Sequence, residues 1–295
     1  MSNGSTTVAQ ALRVATSHLR EVETSSPLFI AELLLAHVIQ QPRSYLKAGP
    51  ERMLTAGQWA QFQLLIARRV RGEPVAYLIG RREFWSLDLE VNATTLIPRA
   101  ETERLVELAL QRIPVNATWR IADLGTGSGA IALAIAHDRP GCLVLATDVS
   151  AAALAVAQSN AARLRIDNVQ FQQGEWFAAL IGEGGKGFDV IVSNPPYVAE
   201  HDMHLQQGDL RFEPQLALSS GADGLRDMRC IVDGAPAHLR DGGWLLVEHG
   251  YDQKEAVLDL FTLHGFAKVC GHADAAGIPR VVSGRHGVAP DSKRL

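Results

Sequence analysis

The residues best equipped for chemistry stand together as Asn194-Pro195-Pro196-Tyr197, directly after the apolar run 188–193, which reads as a buried strand. Each proline fixes φ and removes an N–H, so a β-ladder cannot continue through them. Each also holds the residue before it extended. The outcome is a stiff bend from which the Asn194 side chain and the Pro195 carbonyl can face one cleft as two acceptors, with the flat Tyr197 ring beside them. Two converging acceptors and an aromatic face suit a planar NH2 on an sp2 carbon. That nitrogen is a poor nucleophile because its lone pair is delocalised, as in a peptide bond. Bonds accepted from its N–H groups help most as it turns tetrahedral and gains positive charge, so they favour the transition state. Such a nitrogen needs alignment with an electrophilic methyl more than it needs a strong base. The plainer reading, a proline turn that ends a strand with Asn194 as its cap, uses ordinary Asn-Pro chemistry.

A second group lies in Ile121-Ala122-Asp123-Leu124-Gly125-Thr126-Gly127-Ser128-Gly129-Ala130, which reads as strand, glycine-rich turn and helix start. The three glycines admit positive φ and close approach of the backbone to a ligand. The helix N-terminus that follows offers free N–H groups to an anion. Asp148 closes the next strand and can accept bonds from two ribose hydroxyls. A nucleoside cofactor is implied, and the spacing leaves two open: a methionine carboxylate at the helix start for S-adenosylmethionine, or a pyrophosphate for NAD. Trp176, after the third strand, stands at the same sheet edge, to border an adenine or to fill the core.

The elements that must position these groups alternate. From about residue 100 the pattern predicts strands at 120–124, 143–147, 169–172, 188–193 and 244–248, with two late ones near 266–270 and 279–283. Helices are expected near 101–111, 130–138, 151–163, 225–239 and 253–264. That order points to a mostly parallel sheet covered by helices on both faces. Residues 1–80 instead read as a small all-α domain. Val8, Leu12, Ala15 and Leu19 share one face; Leu28, Ile30, Leu34, Leu35 and Val38 form a wide stripe; a third helix starts at the N-cap Thr55 and stops at Gly72. Between them, residues 81–99 read as a hairpin connector, in which Trp85, Leu87, Leu89 and Val91 alternate with polar residues and Asn92-Ala93-Thr94 forms the turn. The domain carrying the chemistry is then 100–295.

The chain's 295 residues, 47% hydrophobic content and net charge of −4 fit a globular protein with no overall basic field for nucleic acid or an anionic membrane. The local run Arg68-Arg69-Val70-Arg71 reads as a solvated helix end. No signal peptide or membrane span is expected, and a reducing cytoplasm is the default. The three cysteines lack metal-ligand spacing, so no metal is expected; Cys142 and Cys270 border apolar segments and read as buried thiols.

On these motifs the chain resembles the HemK/PrmC family, the release factor glutamine methyltransferases. The resemblance runs through AELLLAHVI, RRVRGEPVAYLIGRREFWSLDLEV, TLIPRAETERLVELAL, ADLGTGSGAIALA, VSNPPY, HLQQGDLRFEPQLAL and LLVEHG. It implies a class I, Rossmann-like methyltransferase domain with a seven-stranded sheet behind the helical domain. It implies methyl transfer from S-adenosylmethionine, leaving S-adenosylhomocysteine, to the side-chain amide of the glutamine in the Gly-Gly-Gln loop of class-1 peptide chain release factors. Carried over residue by residue, Gly125, Thr126, Gly127, Ser128 and Gly129 form the cofactor loop. Asp148 holds the ribose and Trp176 touches the cofactor. Asn194 meets both cofactor and glutamine as the catalytic residue, and Pro195, Pro196 and Tyr197 complete the glutamine pocket. Arg99, Glu213, Glu248 and His249 receive no catalytic step. Ala100 stands where the family usually has proline, Ile30 where close relatives often have aspartate, and Glu175 where aspartate is commoner. The competing readings are a ribosomal-protein glutamine methyltransferase, an adenine-specific nucleic-acid methyltransferase, which shares the NPPY motif, and an NAD-dependent or non-catalytic nucleotide-binding protein.

Overall fold

A computed structural model describes residues 6–22, 26–180 and 187–287. The chain divides into two compact units, one of Met1–Arg81 with Gly208–Phe212, the other of Arg82–Gln207 with Glu213–Leu295. The first is helical: α1 (Val8–Arg20), α2 (Pro27–Ile39), the short α3 (Arg43–Ala48), α4 (Ala56–Val70) and the short α5 (Val75–Ile79). Its core is built from Val8, Ala11, Ala15 and Leu19 of α1, Leu34, Leu35 and Val38 of α2, and Phe62, Leu65 and Ile66 of α4. The expected stripes are narrower than read, since Leu12 is only partly buried and Leu28 is exposed. Thr55 caps α4 in a reciprocal box with Gln58, satisfying two of the orphan N–H groups at its start. The basic run at its end is engaged in ion pairs: Arg68 Nε reaches Glu73 at 2.7 Å and Arg69 Nη1 reaches Asp209 at 2.8 Å.

The second unit opens with a hairpin of β1 (Arg81–Phe84) and β2 (Leu87–Glu90). Its turn is at Trp85-Ser86, not at Asn92-Ala93-Thr94 as the alternation suggested. Trp85 and Ser86 have φ of 52° and 59°, the two positive values a tight I′ turn demands. Trp85 is held in that conformation because its backbone N–H donates to Glu103 and its indole N–H to Asp138, each at 2.9 Å. Asn92 forms a separate local turn, accepting from the Thr94 N–H at 2.9 Å.

The sheet comprises β3 (Arg120–Leu124), β4 (Leu143–Asp148), β5 (Val169–Gln173), β6 (Phe188–Ser193), β7 (Leu239–Glu248), β8 (Ala267–Ala273) and β9 (Pro279–Arg285) in the order β5-β4-β3-β6-β7-β9-β8. The strands β3 to β7 are parallel and β9 runs antiparallel to both neighbours. The helices are α6 (Glu103–Arg112), α7 (Ala130–Asp138), α8 (Ala151–Leu164), α9 (Arg226–His238) and α10 (Lys254–Leu263). Alternate residues of the central strands enter opposite cores. Ile121, Val144, Val190 and Leu246 pack with α6 and α7 residues; Ala122, Leu145, Ile191 and Leu245 pack with α9 and α10 residues. Burial on both faces explains why these strands read as continuous apolar runs. β7 begins earlier than the expected residue 244, because residues 240–243 loop out of its pairing: Phe188 pairs with Leu239 and Val190 with Trp244. Cys142 is buried, whereas Cys270 is exposed on the outermost strand β8, so the burial expected of it fails. Among the described residues no helix is long and apolar enough to cross a membrane.

Candidate active site

The chain winds outward from β3 to β5 and returns to β6 on the other side of β3, so β3 and β6 flank the topological switch point. Leu124 and Ser193 are register partners there, tied by a 2.7 Å bond from Ser193 Oγ to the Leu124 carbonyl. Gly125 and Asn194 are the next residue on each strand. A loop and a bend 69 residues apart in sequence thus leave the sheet side by side.

A cavity at this edge is lined by Gly125, Gly127, Asp148, Trp176, Asn194 and Pro196, with Leu96, Glu175, Leu216 and Asp227 completing its wall. Gly125, Gly127 and Gly129 have φ of 76°, 57° and 85°, and Gly129 is the N-cap of α7. A β-carbon on Gly125 would stand 3.3 Å from the Trp176 ring, so the bare backbone is what lets that ring close over the loop. Trp176 itself holds φ at 43° and packs partly into the α9–α10 core, so it serves wall and core together. Thr126 and Ser128 are buried. The Thr126 hydroxyl donates inward to Asp123 at 2.6 Å, leaving the loop's backbone as its ligand-facing part.

The Asp148 carboxylate accepts from Gly127 N–H at 2.9 Å through Oδ2 and from Ser150 N–H at 2.8 Å through Oδ1. A carboxylate has about four lone-pair sites, so each oxygen keeps one for a hydroxyl. Burial raises its pKa, and these backbone bonds hold it down. Behind the loop, fully buried Asp123 accepts from Thr126 and from Ala132 N–H through one oxygen, while its Oδ1 has no partner; burial pushes it up to about 7.

At the bend, Asn194 and Pro196 are partly exposed, Pro195 is buried, and Tyr197 is half-buried away from the cavity lining. Asn194 Nδ2 donates to Thr102 Oγ1 at 3.2 Å. The Tyr197 hydroxyl donates to Glu248 Oε1 at 3.3 Å, and its carbonyl accepts from Gln253 Nε2 at 2.9 Å. Glu248 is fully buried; desolvation raises it to about 7 against hydrogen bonds from Thr102 and Tyr197 and the charge of Arg280.

The other charged motif residues lie elsewhere. Arg99 forms an ion pair with buried Glu213, which also accepts the Ile97 N–H at 3.1 Å, so this pair braces the chain before α6. His249 is buried with Nδ1 on the Gly250 carbonyl at 2.7 Å, and desolvation lowers its pKa. Its Nε2 is buried with no hydrogen-bond partner among the described residues. Thr102 and Asp227 at the site escaped sequence reasoning. Thr102 sits in a short 3-10 turn, Ala100–Thr102, and Asp227 at the start of α9, where neither carries a local signal.

The model for the PrmC N-terminal domain matches residues 10–80, and that for the Methyltransferase small domain matches residues 100–210. Among solved structures, the delta-N METTL16 MTase domain aligns with a TM-score of 0.51 at 18% identity, covering 70% of this chain and 90% of that one, a likeness of fold. Sheet order, switch-point cavity and these matches define a methyltransferase. A release factor glutamine methyltransferase of Xylella fastidiosa (strain Temecula1 / ATCC 700964) is 52% identical over 274 residues, 93% of this chain and 96% of that one. That of Escherichia coli (strain K12) is 48% identical over 275 residues, 93% and 97% of the two chains. The chain belongs to the release factor glutamine methyltransferase family.

Proposed function

We propose that this enzyme methylates the side-chain amide nitrogen of the glutamine in the Gly-Gly-Gln loop of class-1 peptide chain release factors, with S-adenosylmethionine as donor. The observation that carries this reading is the placement of Gly125 and Asn194 one residue beyond the register pair Leu124 and Ser193, which gives the cofactor loop and the amide-holding bend one crevice. When bound, S-adenosylmethionine supplies a methyl on a positively charged sulfur and is left as S-adenosylhomocysteine. The residues present fit it. The backbone of Gly125 to Gly129 approaches closely without β-carbons at three positions, Asp148 retains lone pairs for a ribose, and the Trp176 ring offers an apolar wall.

The chain's own contribution is positioning. Asn194 and the Pro195 carbonyl accept the two N–H groups of the substrate amide and hold its nitrogen lone pair toward the cofactor loop. Those bonds strengthen as the nitrogen loses conjugation, so they lower the barrier rather than only tightening binding, and one of the two N–H protons then leaves to solvent to give the neutral N-methyl amide. Tyr197 stiffens the bend from behind through Glu248 and Gln253. The place of action is then the cytoplasm, where release factors work. Incubation with S-adenosylmethionine and intact release factor, followed by peptide mass mapping, should show a single added methyl on that glutamine. A methyl found on another residue, or transfer to nucleic acid alone, would count against the reading.

A further inference from the structure

The hairpin strand β2 has no part in the reaction above, yet one side chain joins it to the cofactor loop. Asn160 is fully buried in the interior of α8, where asparagine is a poor helix former. Its Oδ1 accepts from the Glu90 N–H at 2.7 Å and from Arg163 Nη2 at 3.1 Å. Its Nδ2 donates to the Glu90 carbonyl at 3.0 Å and to the Ser128 carbonyl at 2.9 Å. A backbone N–H only donates and a carbonyl only accepts, so these partners leave the carboxamide one orientation. Toward Glu90 it stands in for a paired strand, and its remaining N–H goes to the loop. The peptide between Ser128 and Gly129 is thereby held on both sides. Its carbonyl faces Asn160, and its N–H, that of Gly129, donates to the Thr126 carbonyl at 2.9 Å. That peptide lies between Gly127, with φ at 57°, and Gly129, with φ at 85°, two residues whose own freedom would let it turn. The Ser128 carbonyl also precedes the first one that α7 uses, since the Leu133 N–H donates to Gly129 at 2.8 Å. Its donor must come from outside the helix.

We propose that Asn160 is a positioning residue for the cofactor: through Ser128 it fixes the glycine loop in its binding shape, with β2 as the anchor. The inference rests on the cofactor reading above, because that reading seats S-adenosylmethionine against this loop. Asn160 does not line the cavity and acts only through the backbone it holds. The hairpin is then a support for the loop as well as a connector. Without the Asn160 donor the buried Ser128 residue would keep a carbonyl with nothing to accept from on that side, and the loop would have to be returned to its binding shape at each binding event.

The test compares two neighbours on α8. Asn160→Asp keeps the shape and the acceptor toward the Glu90 N–H, and removes the donor to Ser128. Calorimetric titration should show S-adenosylmethionine bound about 10- to 100-fold more weakly, the scale of one lost buried hydrogen bond, with kcat on release factor at saturating donor within about threefold of the parent. Ser159→Ala removes a different contact between α8 and β2, the bond from Ser159 Oγ to Glu90 Oε2 at 3.0 Å, without touching the loop, and should leave that affinity unchanged. A merely structural asparagine would lower the melting temperature and leave the affinity of the folded protein alone. Parental affinity in a folded Asn160→Asp variant, a loss confined to kcat, or an equal loss of affinity in Ser159→Ala would overturn the assignment. The parent gives a reading that needs no variant to fold. On saturation with S-adenosylhomocysteine the side-chain NH2 resonances of Asn160 should shift. Those of Asn168, whose Nδ2 donates to the Ala136, Arg139 and Cys142 carbonyls before β4 begins, should not. Unmoved Asn160 resonances would also overturn it. A parent that binds neither cofactor form would remove the cofactor reading itself, before any variant is compared.

Discussion

At the scale of single residues, the site works by subtraction as much as by addition. Gly125 contributes an absent β-carbon: with φ at 76° and the Trp176 ring 3.3 Å from where that carbon would sit, alanine is disfavoured twice. Left-handed backbone costs a non-glycine residue about 1–2 kcal/mol. Gly125→Ala is therefore expected to weaken cofactor binding about tenfold by calorimetric titration, with the glutamine side of the reaction unaffected. Asn194 contributes an acceptor, and its loss should be felt in turnover. Asn194→Ala is expected to lower kcat by about 10²–10³, as for other aligned polar groups that act on developing charge, while thermal unfolding stays near that of the parent. Near-parental turnover in that variant would remove the mechanism. Ion pairs such as Arg99–Glu213 are not expected to respond to substrate at all, because one partner is buried and also engaged by the backbone.

At the scale of elements, two parallel strands and the turns after them set the geometry, while the helices hold the strands from both faces. The hairpin shows how a local rule can be broken for a tertiary gain. Trp85-Ser86 adopts a turn that glycine and asparagine prefer, held by bonds from Trp85 to Glu103 and Asp138. Ser86 shares the left-handed backbone, with φ at 59°. Ser86→Gly is expected to raise the melting temperature by about 2 °C, because the relieved strain of about 1–2 kcal/mol is offset in part by the greater freedom of glycine in the unfolded chain. Calorimetry decides it; a lowered melting temperature would show that the serine side chain matters more than its backbone.

At the scale of the whole molecule, buried carboxyls couple stability to pH. Asp123 and Glu248 are held up to about 7 by desolvation, far above their ordinary values of 3.8 and 4.5. Between those ordinary values and 7 the folded protein keeps protons that the unfolded chain has released. Their contribution is thus complete at low pH and is lost as pH rises toward 7. His249 and His272, whose pKa values are lowered by burial, carry the opposite sign, with stability gained as pH rises toward 6.5. Comparison with a variant isolates one group. Relative to the parent, Glu248→Gln should gain roughly 1 kcal/mol of stability per pH unit between about 5 and 7, measured by denaturant titration. A difference that does not vary with pH would show that Glu248 is already ionised in the folded protein.

Much of this was written in the order of residue types. The alternation of apolar runs with helical periods called for a mostly parallel sheet, because strands covered on both faces must be apolar throughout, as Val190-Ile191-Val192 are. The glycines of 125–129 and the prolines after Asn194 marked where strands stop, since both act on the backbone locally. What the order of residues could not decide was adjacency. Thr102, the Asn194–Tyr197 bend and Glu248 come from three separate stretches of chain and meet because β6 pairs with β3 on one side and β7 on the other. The turn at Trp85-Ser86 was hidden for the same reason: its stability comes from Glu103 and Asp138, which are distant in the chain. Local propensity is a property of neighbours in sequence, whereas the direction of a buried hydrogen bond is fixed by partners that only folding brings together.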